Sequence, residues 1–108
     1  IEDVKRLMWD YVGIVRANLR LQRAYRRIRL LTEEIQDYYR RSTLSYRLLE
    51  LRNLATVATM IINSALTRKE SRGLHFNTDY PDTIEEMKKN VILRNGFPPE
   101  MKLLEEII

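Results

Sequence analysis

Residues 18–41 read NLRLQRAYRRIRLLTEEIQDYYRR, and this stretch decides the fold. Its apolar residues return at steps of three and four, which is the spacing of one face of an α-helix. The series is Leu21, Ala24, Ile28, Leu31, Ile35 and Tyr38. A long helix with one continuous apolar seam packs against nearly parallel or antiparallel neighbours. We therefore predict a helix over 18–41, with Asn18 as its N-cap.

The segments on either side of this helix carry the same kind of pattern. The stripe in residues 1–15 consists of Val4, Leu7, Met8, Tyr11, Val12 and Val15. The broad apolar face in residues 46–69, which follow the N-cap candidate Ser45, consists of Leu48, Leu51, Leu54, Ala55, Ala58, Ile61, Ile62, Ala65 and Leu66. Two long helices joined by a short break must lie antiparallel. We predict an all-α fold, an antiparallel three-helix bundle (up-down-up) in which the first helix covers the groove between the other two.

The helical pattern stops after residue 69. Turn residues, among them Gly73 and Pro81, predict an irregular strap over residues 71–81. Beyond it we predict a short helix over 83–89, a turn at Asn95-Gly96, and a last short helix from Pro98 that ends in Leu103, Leu104, Ile107 and Ile108. We expect residues 1–81 to form the bundle with its strap, and residues 82–108 to form a C-terminal extension packed on the same domain.

Composition removes several classes of function. The chain has 108 residues, no cysteine, one histidine and three glycines. One domain fits this length, while thiolate metal sites, histidine-rich metal sites and glycine-rich phosphate loops are excluded. The sequence shows neither a secretory signal nor a membrane span, so we expect a cytoplasmic location and no membrane partner. Because the first residue is Ile1, we interpret the chain as processed, trimmed or cut from a longer one.

Three features suggest chemistry and have simpler explanations. Ser71, His75 and Asp79 stand at steps of four and would share one face of an unbroken helix, as a hydrolase triad could. The turn residues between them make an unbroken helix, and therefore a hydrolase, unfavoured. Trp9 lies off the apolar stripe, which favours an interface role. Six arginines between Arg16 and Arg29 lack an intervening acid. We expect a solvated arginine face there, and we keep a free-standing basic bundle that binds nucleic acid as the alternative.

Three strings together carry a resemblance to a known family. They are Leu-Met-Trp-Asp-Tyr-Val-Gly-Ile-Val-Arg at 7–16, Leu-Leu-Glu-Leu-Arg-Asn-Leu at 48–54, and Arg-Lys-Glu-Ser-Arg-Gly-Leu-His-Phe-Asn-Thr-Asp-Tyr-Pro at 68–81. The chain resembles the C-terminal helical domain of L-aspartate oxidases, flavoproteins of the succinate dehydrogenase/fumarate reductase group. Succinate dehydrogenases more often read Gly-Ala-His-x-Arg-Glu-Asp in the third string, where this chain has Asn77 and Thr78. The same domain from that branch remains a further alternative.

The resemblance implies a role for the chain within a longer enzyme. The parent would oxidise L-aspartate to iminoaspartate with FAD, for quinolinate synthesis and NAD biosynthesis. Its FAD-binding domain, capping domain and catalytic residues would precede this chain, so the resemblance implies no catalytic residue, flavin ligand or metal ligand here. We expect a non-catalytic domain that buttresses those two domains as its partners. The candidates for docking between domains are Trp9, Arg68, Glu70, Ser71, Arg72, His75, Asp79 and Tyr80.

Overall fold

The computed structural model describes residues 1–13, 15–41, 45–94 and 96–103. Three helices form most of it: α1 is Glu2–Tyr11, α2 is Asn18–Arg41 and α3 is Tyr46–Thr67. The predicted bundle is therefore confirmed as a mainly helical fold. The helix predicted over 1–15 ends earlier, at Tyr11, because the chain turns at Gly13 and extends into the short strand β1, Val15–Arg16. The helix predicted to Lys69 ends at Thr67.

The core lies where the three helices meet. Its buried cluster consists of Val4, Leu7, Val12, Leu21, Ala24, Ile28, Ala58, Ile62 and Ala65. Alanines on α3 allow α2 and α3 to approach closely. Near the other end of the pair, the Arg52 guanidinium lies 5.0 Å from the centre of the Tyr39 ring. Because late residues of α2 meet early residues of α3, the two helices run antiparallel.

Three predicted core positions are wrong. Tyr38 and Ile61 are exposed although they continue the apolar series of α2 and α3, and Val15 is exposed because it leaves α1 for β1. Periodicity shows which face of a helix is apolar. It does not show how far along that face a neighbouring helix reaches.

The chain after α3 contains little helix. Strand β2, Phe76–Asn77, pairs in parallel with β1. A single 3₁₀ turn, Glu85–Met87, stands where we predicted a helix over 83–89. Strands β3, Asn90–Ile92, and β4, Glu100–Lys102, form an antiparallel hairpin around the turn at Gly96, where φ is 83°.

The last short helix is also a wrong prediction. Residues 100–102 form β4, because the turn brings them beside β3 and satisfies their backbone groups there. Leu104, Ile107 and Ile108, which we assigned to the end of that helix, lie outside the described residues. Within the described ranges, no helix is both long and apolar enough to cross a membrane.

Candidate docking site

A buried carboxylate organises the chain where α3 ends. Glu70 has no solvent exposure. Its Oε2 accepts hydrogen bonds from Arg68 Nη1 at 2.5 Å and from Arg72 Nε at 3.1 Å, and its Oε1 accepts one from the Ile84 N–H at 3.0 Å. A buried charge is tolerated only when it is paired and hydrogen-bonded. Glu70 therefore fixes both arginines and the backbone of residue 84 around one point.

The protonation of Glu70 follows from these contacts. Burial alone would raise the pKa of the carboxyl, but the hydrogen bonds from Arg72, the Ile84 N–H and Arg68 outweigh that effect and hold the pKa below its ordinary value of 4.5.

The guanidinium groups of Arg68 and Arg72 also bond the chain that follows the strap. Arg68 donates to the carbonyls of Met87 and Lys89, and Arg72 donates to the carbonyl of Ile84. Segment 84–89 is thereby held against residues 68–72.

The strap, residues 71–81, is closed by a second set of hydrogen bonds. Arg72 and His75 exchange backbone bonds of 2.9 and 3.1 Å around Gly73, whose φ of 61° suits a residue without a side chain. Ser71 Oγ accepts from the Asn77 N–H at 3.0 Å and donates to the Tyr80 carbonyl at 2.7 Å. The strap is irregular, as predicted, yet its turns are satisfied from within.

The strap also completes the start of α2. The Asn18 N–H donates to Asp79 Oδ2 at 2.7 Å, so a carboxylate from the strap caps the helix. Asn18 was predicted to be the N-cap itself. Instead it is the first helical residue, and its Oδ1 accepts a 2.9 Å bond from Asn77 Nδ2. Asn77 is fully buried, and its Oδ1 accepts from the Asp79 N–H.

His75 joins the strap to the segment before α2. Arg16 Nη1 lies 2.8 Å from His75 Nδ1, and His75 Nε2 lies 3.2 Å from the Arg68 carbonyl oxygen. A guanidinium can only donate, so Nδ1 accepts and the proton of the neutral ring belongs on Nε2. Burial lowers the pKa of His75, and the positive charges of Arg16 and Arg68 lower it further. The contact therefore requires a neutral histidine.

One side of this assembly presents apolar side chains to water. Leu74, at the tip of the turn, is 77% exposed, and Phe76 is 41% exposed beside Val15 on the paired strands. Their strand neighbours Arg16 and Asn77 point the other way, into the network described above. A groove lined by Arg16, His75, Val57 and Ile61 separates the strap from the exposed apolar side of α3. We call Val15, Leu74 and Phe76 the apolar tip.

The docking candidates predicted from sequence fall into two groups. Glu70 and Ser71 are buried and have partners within the chain, and the half-buried Arg68, Arg72, His75 and Tyr80 are bonded around them. Trp9, which is 85% exposed, and Asp79 lie at the surface. Ser71, His75 and Asp79 each bond other groups and not one another, so they do not form a catalytic triad.

Sequence reasoning missed several residues of this site. Arg16, Asn18 and Asn77 complete the network, and the apolar tip is its most exposed part. Arg16 and Asn77 lie inside two of the strings that carry the resemblance. Leu74 and Phe76 alternate with polar residues there, which is the signal that could have indicated an outward apolar side.

The described residues do not fit a flavin dinucleotide by themselves. Such cofactors place their pyrophosphate on a free helix N-terminus behind a glycine-rich turn. Here the N-terminus of α2 is capped by Asp79, that of α3 is capped by Ser45 Oγ, and the first turn of α1 carries Glu2 and Asp3. Asp79 and Ser45 Oγ each accept a hydrogen bond from an amide at the start of a helix, and the acids in the first turn of α1 repel a phosphate.

Most of the arginines on α2 are at the surface. Arg20 donates to the Asp10 carbonyl and lies over the Tyr11 ring, and Arg29 lies over the Tyr25 ring. Within the described residues, Arg23, Arg26 and Arg27 form no ion pair shorter than 4.0 Å. The predicted arginine face is thus present and lies in water.

Comparison with known proteins gives the family. A model described as fumarate reductase flavoprotein C-term matches residues 1–101. The chain belongs to this family. Its strap, with Glu70 at the root, is therefore a feature of a flavoprotein C-terminal domain, and the resemblance read from the three strings is confirmed.

Individual relatives are longer than this family domain. This chain is 58% identical over 83 residues to L-aspartate oxidase 1 of Ralstonia nicotianae, and the match covers 77% of this chain and 16% of the relative. It is 53% identical over 92 residues to the L-aspartate oxidase of Pseudomonas aeruginosa, covering 85% and 17%. An uncharacterized FAD-dependent oxidoreductase of Methanocaldococcus jannaschii is 38% identical over 95 residues, covering 87% and 18%. The chain spans about 17% of the length of such relatives.

Proposed function

We propose that this flavoprotein C-terminal domain is the non-catalytic helical part of an L-aspartate oxidase. The parent enzyme would oxidise L-aspartate to iminoaspartate and pass the hydride to FAD, for NAD biosynthesis. Support comes from identities of 48–58% with five bacterial proteins of that name. The oxidase branch is favoured over the succinate dehydrogenase branch, in agreement with Asn77 and Thr78 in the third string.

The observation that carries the proposed role is the apolar tip. Leu74 and Phe76 lie in water on a turn whose backbone is satisfied from within by Ser71, His75 and Asn77. A turn held this firmly gives its outward side chains a fixed position at little entropic cost on binding. We propose that the tip docks on the FAD-binding and capping domains, together with Arg72, Asp79 and Tyr80 of the strap and with the exposed Trp9 of α1. Glu70 and Ser71 would hold the tip in shape rather than touch the partner.

Exchange of Leu74 and Phe76 for serine in the full-length enzyme tests this role. The exposed side chains add little to the stability of the domain, so its thermal unfolding should shift by only a few degrees. The contact with the flavin domain should weaken, with loss of bound FAD per polypeptide and a slower rate of aspartate oxidation. Tyr46→Ser is the matched control, because Tyr46 is 81% exposed at the opposite end of α3.

Two results would contradict the docking proposal. One is a double variant that keeps the flavin content and oxidation rate of the unchanged enzyme. The other is an equal loss in Tyr46→Ser, which would mean that any exposed apolar residue has the same effect. Arg72→Ala gives an independent check. If that variant folds normally and retains flavin and rate, the strap has no role in docking.

We further propose that the parent enzyme is cytoplasmic and that residues 82–108 belong to this domain as a C-terminal extension packed on it. Nucleic-acid binding by the arginines of α2 is the second hypothesis, supported by their exposure. Tight, salt-sensitive binding of RNA or DNA by the chain would favour it over the docking role.

A further inference from the structure

The outward side of α2 carries an ordered pattern of charge that the docking role does not use. Seven residues, each of which lies three or four positions from another along the helix, form one stripe, and every one of them is exposed. This outer stripe consists of Arg23, Arg26, Arg27, Leu30, Glu33, Glu34 and Asp37. Residues spaced in this way share one face of a helix.

The charges of the outer stripe are arranged symmetrically about its centre. Leu30, which is 61% exposed, is the midpoint. Arginines stand seven, four and three residues before it, and acids stand three, four and seven residues after it. Reversing the direction of the helix therefore exchanges every positive position for a negative one. A surface with this property is complementary to itself in the antiparallel orientation.

We propose that the outer stripe binds a second copy of this chain, with α2 antiparallel to the α2 of its partner. The two-fold axis would pass beside Leu30, so that the two leucines meet at the centre. Arg23 of each copy would face Asp37 of the other, and the pair Arg26 and Arg27 would face the pair Glu33 and Glu34. Such an interface is isologous, because each copy uses the same patch.

The chain itself leaves these charges available. Within the described residues, the stripe contains one ion pair, between Asp37 and Arg41 at 3.1 Å, and both side chains are largely in water. An exposed pair of this kind adds little and is easily exchanged. A shallow groove lined by Tyr11, Arg23, Arg26, Arg27 and Leu30 follows the arginine half of the stripe up to its centre. A second groove beside Arg27 is lined by residues of α1, so α1 borders the stripe on that side.

Charge also selects the orientation. In a parallel pair, arginines would lie against arginines and acids against acids, which disfavours that arrangement. A polyanion would meet the three arginines but would be repelled by the three acids one turn further on. A second antiparallel copy satisfies both halves at once. Since exposed charges are screened within about 10 Å at 0.1 M salt, the association should be salt-sensitive.

Sedimentation equilibrium of the chain at rising concentration tests the proposal. We expect a monomer–dimer equilibrium in 50 mM NaCl whose Kd rises by about tenfold or more in 500 mM NaCl. Two charge-reversal variants, Arg26→Glu with Arg27→Glu and Glu33→Arg with Glu34→Arg, should each be monomeric, because like charges then meet. An equimolar mixture of the two should recover dimers, and so should the variant that carries all four changes.

The control changes the net charge without touching the stripe. Arg47→Glu with Arg94→Glu alters the charge as much as the first variant does, at exposed positions elsewhere. It should dimerise normally, and circular dichroism should show unchanged helix in all variants. The same variants in the full-length enzyme should change its mass in solution but not its FAD content, which separates this proposal from tip docking.

Three outcomes would overturn the proposal. A chain that stays monomeric at several hundred micromolar in 50 mM NaCl has no such interface. Failure of the mixed variants to recover dimers would show that the stripe pairs with something other than itself. Binding of a labelled 20-nucleotide strand, strengthened by Glu33→Arg with Glu34→Arg and without any dimer, would assign the arginines to nucleic acid.

Discussion

The strap end of the molecule and the outer stripe of α2 hold the same kinds of charged side chain in opposite settings. Around Glu70, the carboxylate has no contact with water, and Arg68 and Arg72 bond both the carboxylate and backbone carbonyls. On the outer stripe, the guanidinium and carboxylate groups are solvated. Burial rather than the number of charges therefore decides what an arginine does here: the first set holds the fold, and the second is free for a partner.

The largest expected effect is that of neutralising the buried carboxylate. Glu70→Gln keeps the size of the side chain but leaves Arg68 and Arg72 without a counter-charge. Breaking a buried pair from one side costs about 3 kcal/mol, so the free energy of unfolding should fall by about that amount. Urea denaturation followed by circular dichroism measures it.

The control for this change is Glu50→Gln on the exposed side of α3, which should alter the free energy of unfolding by less than about 0.5 kcal/mol. If the two substitutions have similar effects, Glu70 is not the organising group that its contacts indicate. The contrast between the buried charges around Glu70 and the solvated charges at the surface would then not hold.

A smaller effect is expected from the cap that the strap gives to α2. Asp79→Ala removes the acceptor of the Asn18 N–H and a negative charge at the positive end of the helix. Loss of such a cap costs about 1 kcal/mol in unfolding free energy. Asp82→Ala is the matched control, because the described contacts of Asp82 use only its backbone carbonyl. Equal stabilities of the two variants would argue against capping between segments.

The pH dependence of stability should reveal His75. The pKa of His75 in the folded chain is lowered by burial and by Arg16 and Arg68, so the unfolded chain binds the proton first, near pH 6.5. Stability is therefore full above pH 6.5 and declines as the pH falls from 6.5 towards the lower folded pKa. His75→Gln can keep both hydrogen bonds and should flatten the profile of midpoint against pH between 7 and 5. An unchanged slope would contradict a half-buried His75 that is neutral in the folded chain.

The helices of the bundle could be predicted from the sequence because helix periodicity is a local pattern. The buried positions Leu21, Ala24, Ile28 and Ile35 all belong to the series read from residues 18–41. The start of α3 was equally accessible, since Ser45 Oγ accepts from the Leu48 N–H at 3.2 Å, as a capping serine does. In both cases, the partners are a few residues apart in the chain.

The contacts of the strap could not be predicted in the same way, because they join residues that are distant in sequence. Arg16 and His75 are separated by 59 residues, as are Asn18 and Asn77. No local spacing indicates such pairs. The hairpin of β3 and β4 was missed for a related reason, since a proline pair before a short apolar run resembles a helix start until the strand opposite it is known.

The smallest stability effect is expected on the outer stripe, and it separates the two regions most sharply. Arg26→Ala removes a solvated guanidinium and replaces it with the best helix former, so the unfolding free energy should change by less than about 0.5 kcal/mol. Measured at low protein concentration, where the chain is monomeric, this value should lie far below that of Arg68→Ala, which removes three bonds to Glu70, Met87 and Lys89. If Arg26→Ala costs more than about 1 kcal/mol in the monomer, the outer stripe supports the fold directly. Its symmetric charges would then be explained without a second copy.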